Sequence, residues 1–417
     1  MNSRSLSLEA VRTQKSFWPH NLFFGLLIFL LPLQAAIWWL YLPLGLVGRA
    51  DFRQLYTGGY MLRTGHAQEL YDFEAQQRFQ NQLFPKTASE IRLLITHPAF
   101  EELLFVPLSR LPYRAAFWIF LGMNCALVWL SLELLKPKLA VLTGHSRWFP
   151  LMLVASFFPI SRTIQQGQDS ILLLTLLAGA YVMLDQERFW WAGFLVGCGA
   201  FRYQIVVPIA LLYLLWQNWE FVRGFLTSAG IAALVSVAVV GIKGTIMYVQ
   251  YMHAINLDMI SGTDMVRYAN SPRCMLNLRG LISAILWERA PHWTIEVLIL
   301  VASLAVIVLA ARMKPSFPLA VLAASLVSYH FLAHDASVWL IPIIAASSGG
   351  WALDAFLAVL MLVAPFSGAA IWEGINSHAF LAAIPAVLLF AVWTMRARTR
   401  LSPATPSRWS RTARRRP

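Results

Sequence analysis

Residues 21–46 read NLFFGLLIFLLPLQAAIWWLYLPLGL, and Val47-Gly48-Arg49-Ala50-Asp51-Phe52 follows directly. The first stretch is apolar and exceeds the ~20 residues that a helix needs to cross a ~30 Å hydrocarbon core. The second places a carboxylate just past that run, at the mouth of a polar segment reaching residue 97. A secretory leader has a shorter apolar core and ends in a small-residue cleavage site. Residues 21–46 therefore read as a retained signal-anchor helix.

The same pattern recurs along the chain. Further spans are expected at 113–135, 148–164, from Asp169 to 184, and at 223–242, 293–312, 317–332, 337–349, 351–370 and 378–395. Residues 189–216 read as two short helices meeting near Phe201-Arg202-Tyr203-Gln204, because that break takes Arg202 out of the lipid. The chain is 58% hydrophobic and 13% charged, with mean hydropathy +0.60. A soluble domain carries about 25% charged residues, so a soluble fold is excluded. The expected fold is an all-α polytopic membrane protein of about 10–12 transmembrane helices.

Charge orients it. Eight of the thirteen net positive charges are arginines at 396–417, a tail without an acid, which leaves +5 elsewhere. A basic tail beside a last span marks the cytoplasmic side and is drawn to anionic lipid; nucleic acid is not an expected partner. The expected divisions are a cytoplasmic N-terminus at 1–20, a membrane-embedded domain at 21–395 and the cytoplasmic tail at 396–417. Two extracytoplasmic loops interrupt the domain, 47–112 and 243–292. The first carries short amphipathic helices, one over 70–79, and an interfacial helix over 98–110. Composition and the basic tail suit a bacterial inner membrane. Cys125, Cys198 and Cys274 are scattered and form no disulfide framework or CxxC pair. Trp38, Trp39, Trp190 and Trp191 read as interfacial anchors.

On this topology the unusual polar residues gather on the outer face. Asp51 is a candidate general base, or alternatively an N-cap of the segment after it. Gln166, Gln168 and Asp169 flank Gly167 in a turn, where amides suit carbohydrate hydroxyls and Asp169 could equally cap the next helix. Arg202 is costly in apolar surroundings and calls for an anion such as a lipid-linked phosphate, or else snorkels to the headgroups. His330 and His334, four apart, would share a helix face beside Asp335. They could position a sugar or phosphate, the spacing also allows a divalent metal, and plain interfacial polarity is the third alternative.

The order Asp51-Phe52, Tyr56, Gly65, Leu70-Tyr71-Asp72, His97-Pro98, Pro107, Leu111-Pro112, Gln166-Gly167-Gln168, then Gly193, Gly197, Gly199 and a cation resembles the polyprenol-phosphate-dependent glycosyltransferases of family 87, over about residues 22–395. The resemblance implies a GT-C-like bundle. It also implies an acidic residue of the first outer loop acting in catalysis, a position that Asp51 matches. The donor would be a polyprenyl-phosphate sugar, most often mannose, and the acceptor a hydroxyl of a glycolipid, polysaccharide or glycan, with inversion at the anomeric carbon. Arg202, His330 and His334 would meet the donor phosphate; Gln166, Gln168, Asp169, Asp335, Tyr56 and His97 would meet substrate. No nucleotide-binding loop is expected and no residue is assigned to a metal. Two departures stand out. The chain has Thr96-His97-Pro98-Ala99 where Tyr-Pro-Pro is frequent, and Arg202 where lysine is. A transporter or lipid flippase, and a non-catalytic scaffold of an envelope-assembly complex, are the alternative functions.

Overall fold

A computed structural model describes residues 20–87, 93–143, 148–256, 271–286, 289–348, 351–368 and 378–401. The expected cytoplasmic N-terminus, the tail beyond 401, Trp372-Glu373-Gly374 and, in the second loop, Asp258, Asp264, Arg267 and Asn270 lie outside them.

The described residues are helical, with no strand among them. In chain order the helices are α1 (His20–Leu46), α2 (Phe52–Arg63), α3 (Phe73–Leu83), α4 (Ala99–Glu102), α5 (Tyr113–Thr143), α6 (Phe149–Ser156), α7 (Phe158–Gln166), α8 (Ser170–Asp185), α9 (Phe189–Cys198), α10 (Tyr203–Leu215) and α11 (Trp219–Asn256). They continue as α12 (Leu278–Leu286), α13 (His292–Ala311), α14 (Phe317–Val327), α15 (Leu340–Ser348), α16 (Ala352–Val363) and α17 (Ala383–Leu401).

Among the described residues, five helices are long and apolar enough to cross a membrane: Gly25–Leu46, Tyr113–Leu139, Trp219–His253, His292–Ala311 and Ala379–Ala397. The pair α9 and α10, bent by 65° at Gly199, counts as a sixth if taken as one broken span. Four apolar helices of 10–17 residues also occur among the described residues, Ser170–Asp185, Phe317–Val327, Asp335–Ser348 and Ala352–Ser367. Backbone polar groups in lipid must be satisfied within the segment, and helices do this. The chain is a multi-pass all-α membrane protein.

Several sequence expectations change in detail. The single span expected over 148–164 is two short helices. Phe157 is extended at φ −82°, ψ 104°, and α7 restarts with Pro159 in its first turn. Proline lacks the N–H that would continue α6, and its ring clashes with the carbonyl four residues back. The helix expected to stop at residue 242 breaks at Gly241, which is non-helical at φ 72°, ψ 175°, and a second helical segment carries on from this kink to Asn256, so the second loop opens later than residue 243. The interfacial helix expected over 98–110 is three short turns, Ala99–Glu102, Leu103–Phe105 and Leu108–Arg110. Its acids Glu101 and Glu102 are fully buried. The helix expected over 70–79 is α3, whose start is fixed by Asp72 accepting from the Ala75 N–H at 2.8 Å. The break near Arg202 forms as expected.

Glycine permits a close helix crossing. On α9, a Cβ at Gly193 would lie 1.9 Å from the Phe221 carbonyl oxygen; on α11, one at Gly224 would lie 1.9 Å from the Trp190 carbonyl oxygen. The backbones touch because neither residue has a side chain, the small-residue device of membrane helix pairs. Gly193→Ala should cost about 1–3 kcal/mol through overpacking, lowering the thermal midpoint in detergent. Gly230→Ala, on the same α11 with nothing within 4 Å, should leave it unchanged. Equal shifts in the two variants would refute the close approach.

Candidate active site

The site begins with how Asp51 is held. The next residue, Phe52, is fully buried, stacks on Phe120 with ring centroids 5.1 Å apart, and meets Phe117 and Phe105 edge-on. Phe117 and Phe120 belong to α5, so an aromatic cluster pins the start of the first loop to the second span. The Gln-Gly-Gln turn rests on the same ring. Gly167 ends α7 in the left-handed region at φ 61°, ψ 47°, where glycine carries no steric penalty. A Cβ there would come within 2.6 Å of the Phe52 Cβ. The close approach delivers both flanking glutamines to Asp51. The Asp51 N–H donates to Gln166 Oε1 at 3.3 Å, and Gln168 Nε2 donates to Asp51 Oδ2 at 2.7 Å. Asp51 does not cap α2: its side chain makes no bond to that helix. Its carboxylate is turned to Gln168 instead.

Gln168 has a second face. Its Oε1 accepts from Arg202 Nη2 at 2.6 Å, and the same nitrogen pairs with Asp169 Oδ1. Arg202 Nε lies 3.6 Å from Asp335 Oδ1. Asp335 is itself held by the Ser170 hydroxyl at 3.2 Å and by the Leu332 N–H at 3.0 Å, with His334 Nε2 3.6 Å from its other oxygen. The 65° bend between α9 and α10 brings Arg202 into this cluster. Arg202 is 7% exposed, which rules out snorkelling to the headgroups. Asp169 does not cap α8 with its side chain; it answers the guanidinium. A chain of side chains thus links Asp51, Gln168, Arg202, Asp169 and Asp335 across four separate segments of sequence.

A third set borders it. His97 Nδ1 lies 2.9 Å from Glu101 Oε2, one helical turn on, and 3.9 Å from Asp169 Oδ2. Burial pushes the His97 imidazole down to about 4, so it is neutral at pH 7. Burial, and then the nearby Asp169 charge, holds the Glu101 carboxyl well above the usual carboxylate range. Glu102 lies under α2, where a Cβ on Gly58 would come within 2.2 Å of Glu102 Oε2.

Two sequence candidates sit differently. Tyr56 donates its hydroxyl to the Leu111 carbonyl at 2.7 Å, inside the aromatic cluster. His330 and His334 do not share a helix face: α14 stops at Val327, and 328–334 are irregular. The spacing of four has helical meaning only where the backbone is helical. His334 still reaches Asp335, as described, while His330 is half-buried. Glu101 and Glu102 were not singled out from sequence, having been absorbed into the interfacial helix. The available signal was His97-Pro98-Ala99-Phe100-Glu101, in which one turn from Pro98 sets the imidazole beside the carboxylate.

No curated protein matches the chain, and no solved structure matches it. Glycosyltransferase family 87 matches residues 96–342, more than half of the 417-residue chain. The match takes in His97, the Gln-Gly-Gln turn, Arg202 and His330 to Asp335 and begins downstream of Asp51. The matched region joins these segments in one buried polar cluster, and the chain belongs to glycosyltransferase family 87.

Proposed function

We propose that this membrane glycosyltransferase takes its sugar, mannose in the first instance, from a polyprenyl-phosphate carrier and passes it to a hydroxyl of a glycolipid, polysaccharide or glycan. The reaction would take place at the extracytoplasmic face of a bacterial inner membrane, with both termini in the cytoplasm. The observation that carries this reading is the side-chain bridge Asp51–Gln168–Arg202, which ties a carboxylate at the loop mouth to a buried guanidinium.

In the step envisaged, Asp51 takes the proton of the acceptor hydroxyl. The hydroxyl oxygen forms its bond to the anomeric carbon while the bond from that carbon to the phosphate oxygen breaks. The electron pair leaves with the lipid phosphate, and the anomeric configuration inverts, a β-linked donor giving an α product. Arg202, aided by His334 and His330, stabilises the phosphate charge as it develops. One edge of the guanidinium is committed to Gln168 and Asp169. The Nε edge stands 3.6 Å from Asp335, beyond hydrogen-bond length, and makes no hydrogen bond among the described residues; it is the edge assigned here to a phosphate oxygen. Gln166 and Asp335 complete the substrate contacts.

Gln168 is assigned as a positioning residue, holding Asp51 and Arg202 at a fixed separation. Gln168→Ala should lower kcat by about 10–10²-fold, the range set by misplacement of a reacting group, with KM and thermal midpoint little changed. A rise in KM alone would make Gln168 a simple substrate contact.

Donor class is tested by supplying membranes with labelled polyprenyl-phosphate mannose or with nucleotide-activated mannose. Label passing to a glycan only from the lipid-phosphate donor supports the reading. Efficient use of the nucleotide sugar by the purified protein would replace it.

A further inference from the structure

Beside the bridge, a set of ligand-type atoms remains that the proposed transfer does not use. His97, Glu101 and Asp169 each bring one such atom within 4.8 Å of the other two. All three are buried, at 3%, 0% and 3% exposure. Glu101 Oε1 and Asp169 Oδ2 meet no N–H or hydroxyl donor among the described residues, and the two carboxyl groups lie against each other. Two facing buried carboxyl groups need a proton or a cation between them. Arg202 is already committed to Asp169 through Oδ1 and lies beside Asp335, so the guanidinium does not fill the space between Glu101 and Asp169 Oδ2.

We infer that His97, Glu101 and Asp169 form a binding site for one divalent transition-metal ion of the Mn²⁺ or Zn²⁺ class. One imidazole with two carboxylates selects this class over Mg²⁺ and Ca²⁺, which prefer all-oxygen shells. An ion bound at about 2.0–2.2 Å draws the three ligand atoms slightly closer than they stand, by small side-chain rotations. Nδ1 of His97 is the ligating nitrogen, since it already points at Glu101. Asp169 would serve two partners at once, Arg202 through Oδ1 and the ion through Oδ2, coupling the ion to the guanidinium. The alternative resolution of the same geometry is a single proton shared between Glu101 and Asp169.

The test uses the full-length protein in detergent, stripped with a chelator and titrated with Mn²⁺ alone, free Mn²⁺ being counted by electron paramagnetic resonance. No sugar donor is present, so failure here and failure of the transfer assay are separate results. The expected result is one Mn²⁺ per chain, displaced by Zn²⁺. Affinity should fall by at least about 10-fold in His97→Gln and in Glu101→Gln, since loss of even an outer-shell partner costs that much. Glu69→Gln, at an exposed carboxylate paired with Arg78, should leave it unchanged. Should the two buried variants fail to fold, the bound wild-type spectrum decides, because coupling to one imidazole nitrogen reports His97 directly. Absence of saturable binding, binding that survives both substitutions, or a bound spectrum without nitrogen coupling overturns the inference in favour of the shared proton.

Discussion

Asp51→Asn should leave a folded protein whose transfer rate has fallen by about 10²–10⁴-fold, the usual contribution of a positioned general base. The substitution is close to isosteric, and asparagine can still accept from Gln168 Nε2, which now lies 2.7 Å from Asp51 Oδ2. The aromatic cluster around Phe52 holds this turn independently of the carboxylate. The loss should therefore appear in kcat, with expression and thermal midpoint near those of wild type. Asp72→Ala provides the contrast. Asp72 is the carboxylate of this loop that caps a helix through its side chain, so its removal should cost about 0.5–2 kcal/mol of stability with kcat retained. An active Asp51→Asn enzyme would move the base elsewhere in the site.

The second large effect is on stability. Removing one partner of a buried ion pair costs about 3–5 kcal/mol, because the other charge stays behind uncompensated. Arg202 is paired with Asp169 and lies beside Asp335, and all three are buried. Arg202→Met should therefore drop the thermal midpoint sharply. Adding Asp169→Asn to that background should recover part of the loss, since the stranded charge is removed as well. Arg202→Lys separates charge from shape. It keeps the cation but replaces a planar fork with a point charge, so it should be less destabilised than Arg202→Met while losing the Gln168 bridge and with it activity. Additive losses in the double variant, measured by thermal unfolding in detergent, would show that the pair is uncoupled.

Much of this was readable from residue types. The apolar run before Asp51 announced a membrane span, and a guanidinium in an apolar stretch announced a partner. The break near Arg202 followed from the same cost. The partner's identity was not readable: Asp169 and Asp335 reach Arg202 through folding that joins distant segments, and a lone outer Asp reads equally well as a cap. Glu101 was hidden because an acidic pair in a short segment near the membrane has an ordinary reading as exposed interfacial polarity. His330 and His334 misled in the opposite direction. Their spacing implies a shared face only on a helix, and the helix ends at Val327. Proline at 159 could have signalled the break at Phe157, since a proline inside an apolar run either kinks a helix or starts a new one.

The most direct test of the central claim is a proteoliposome assay holding only the purified protein, labelled polyprenyl-phosphate mannose and a glycolipid acceptor. The account predicts a new glycosidic product of inverted anomeric configuration, appearing together with free polyprenyl phosphate and nearly absent with Asp51→Asn. Label that crosses the bilayer still attached to its carrier, with no glycosidic bond formed, would contradict it and make the protein a transporter.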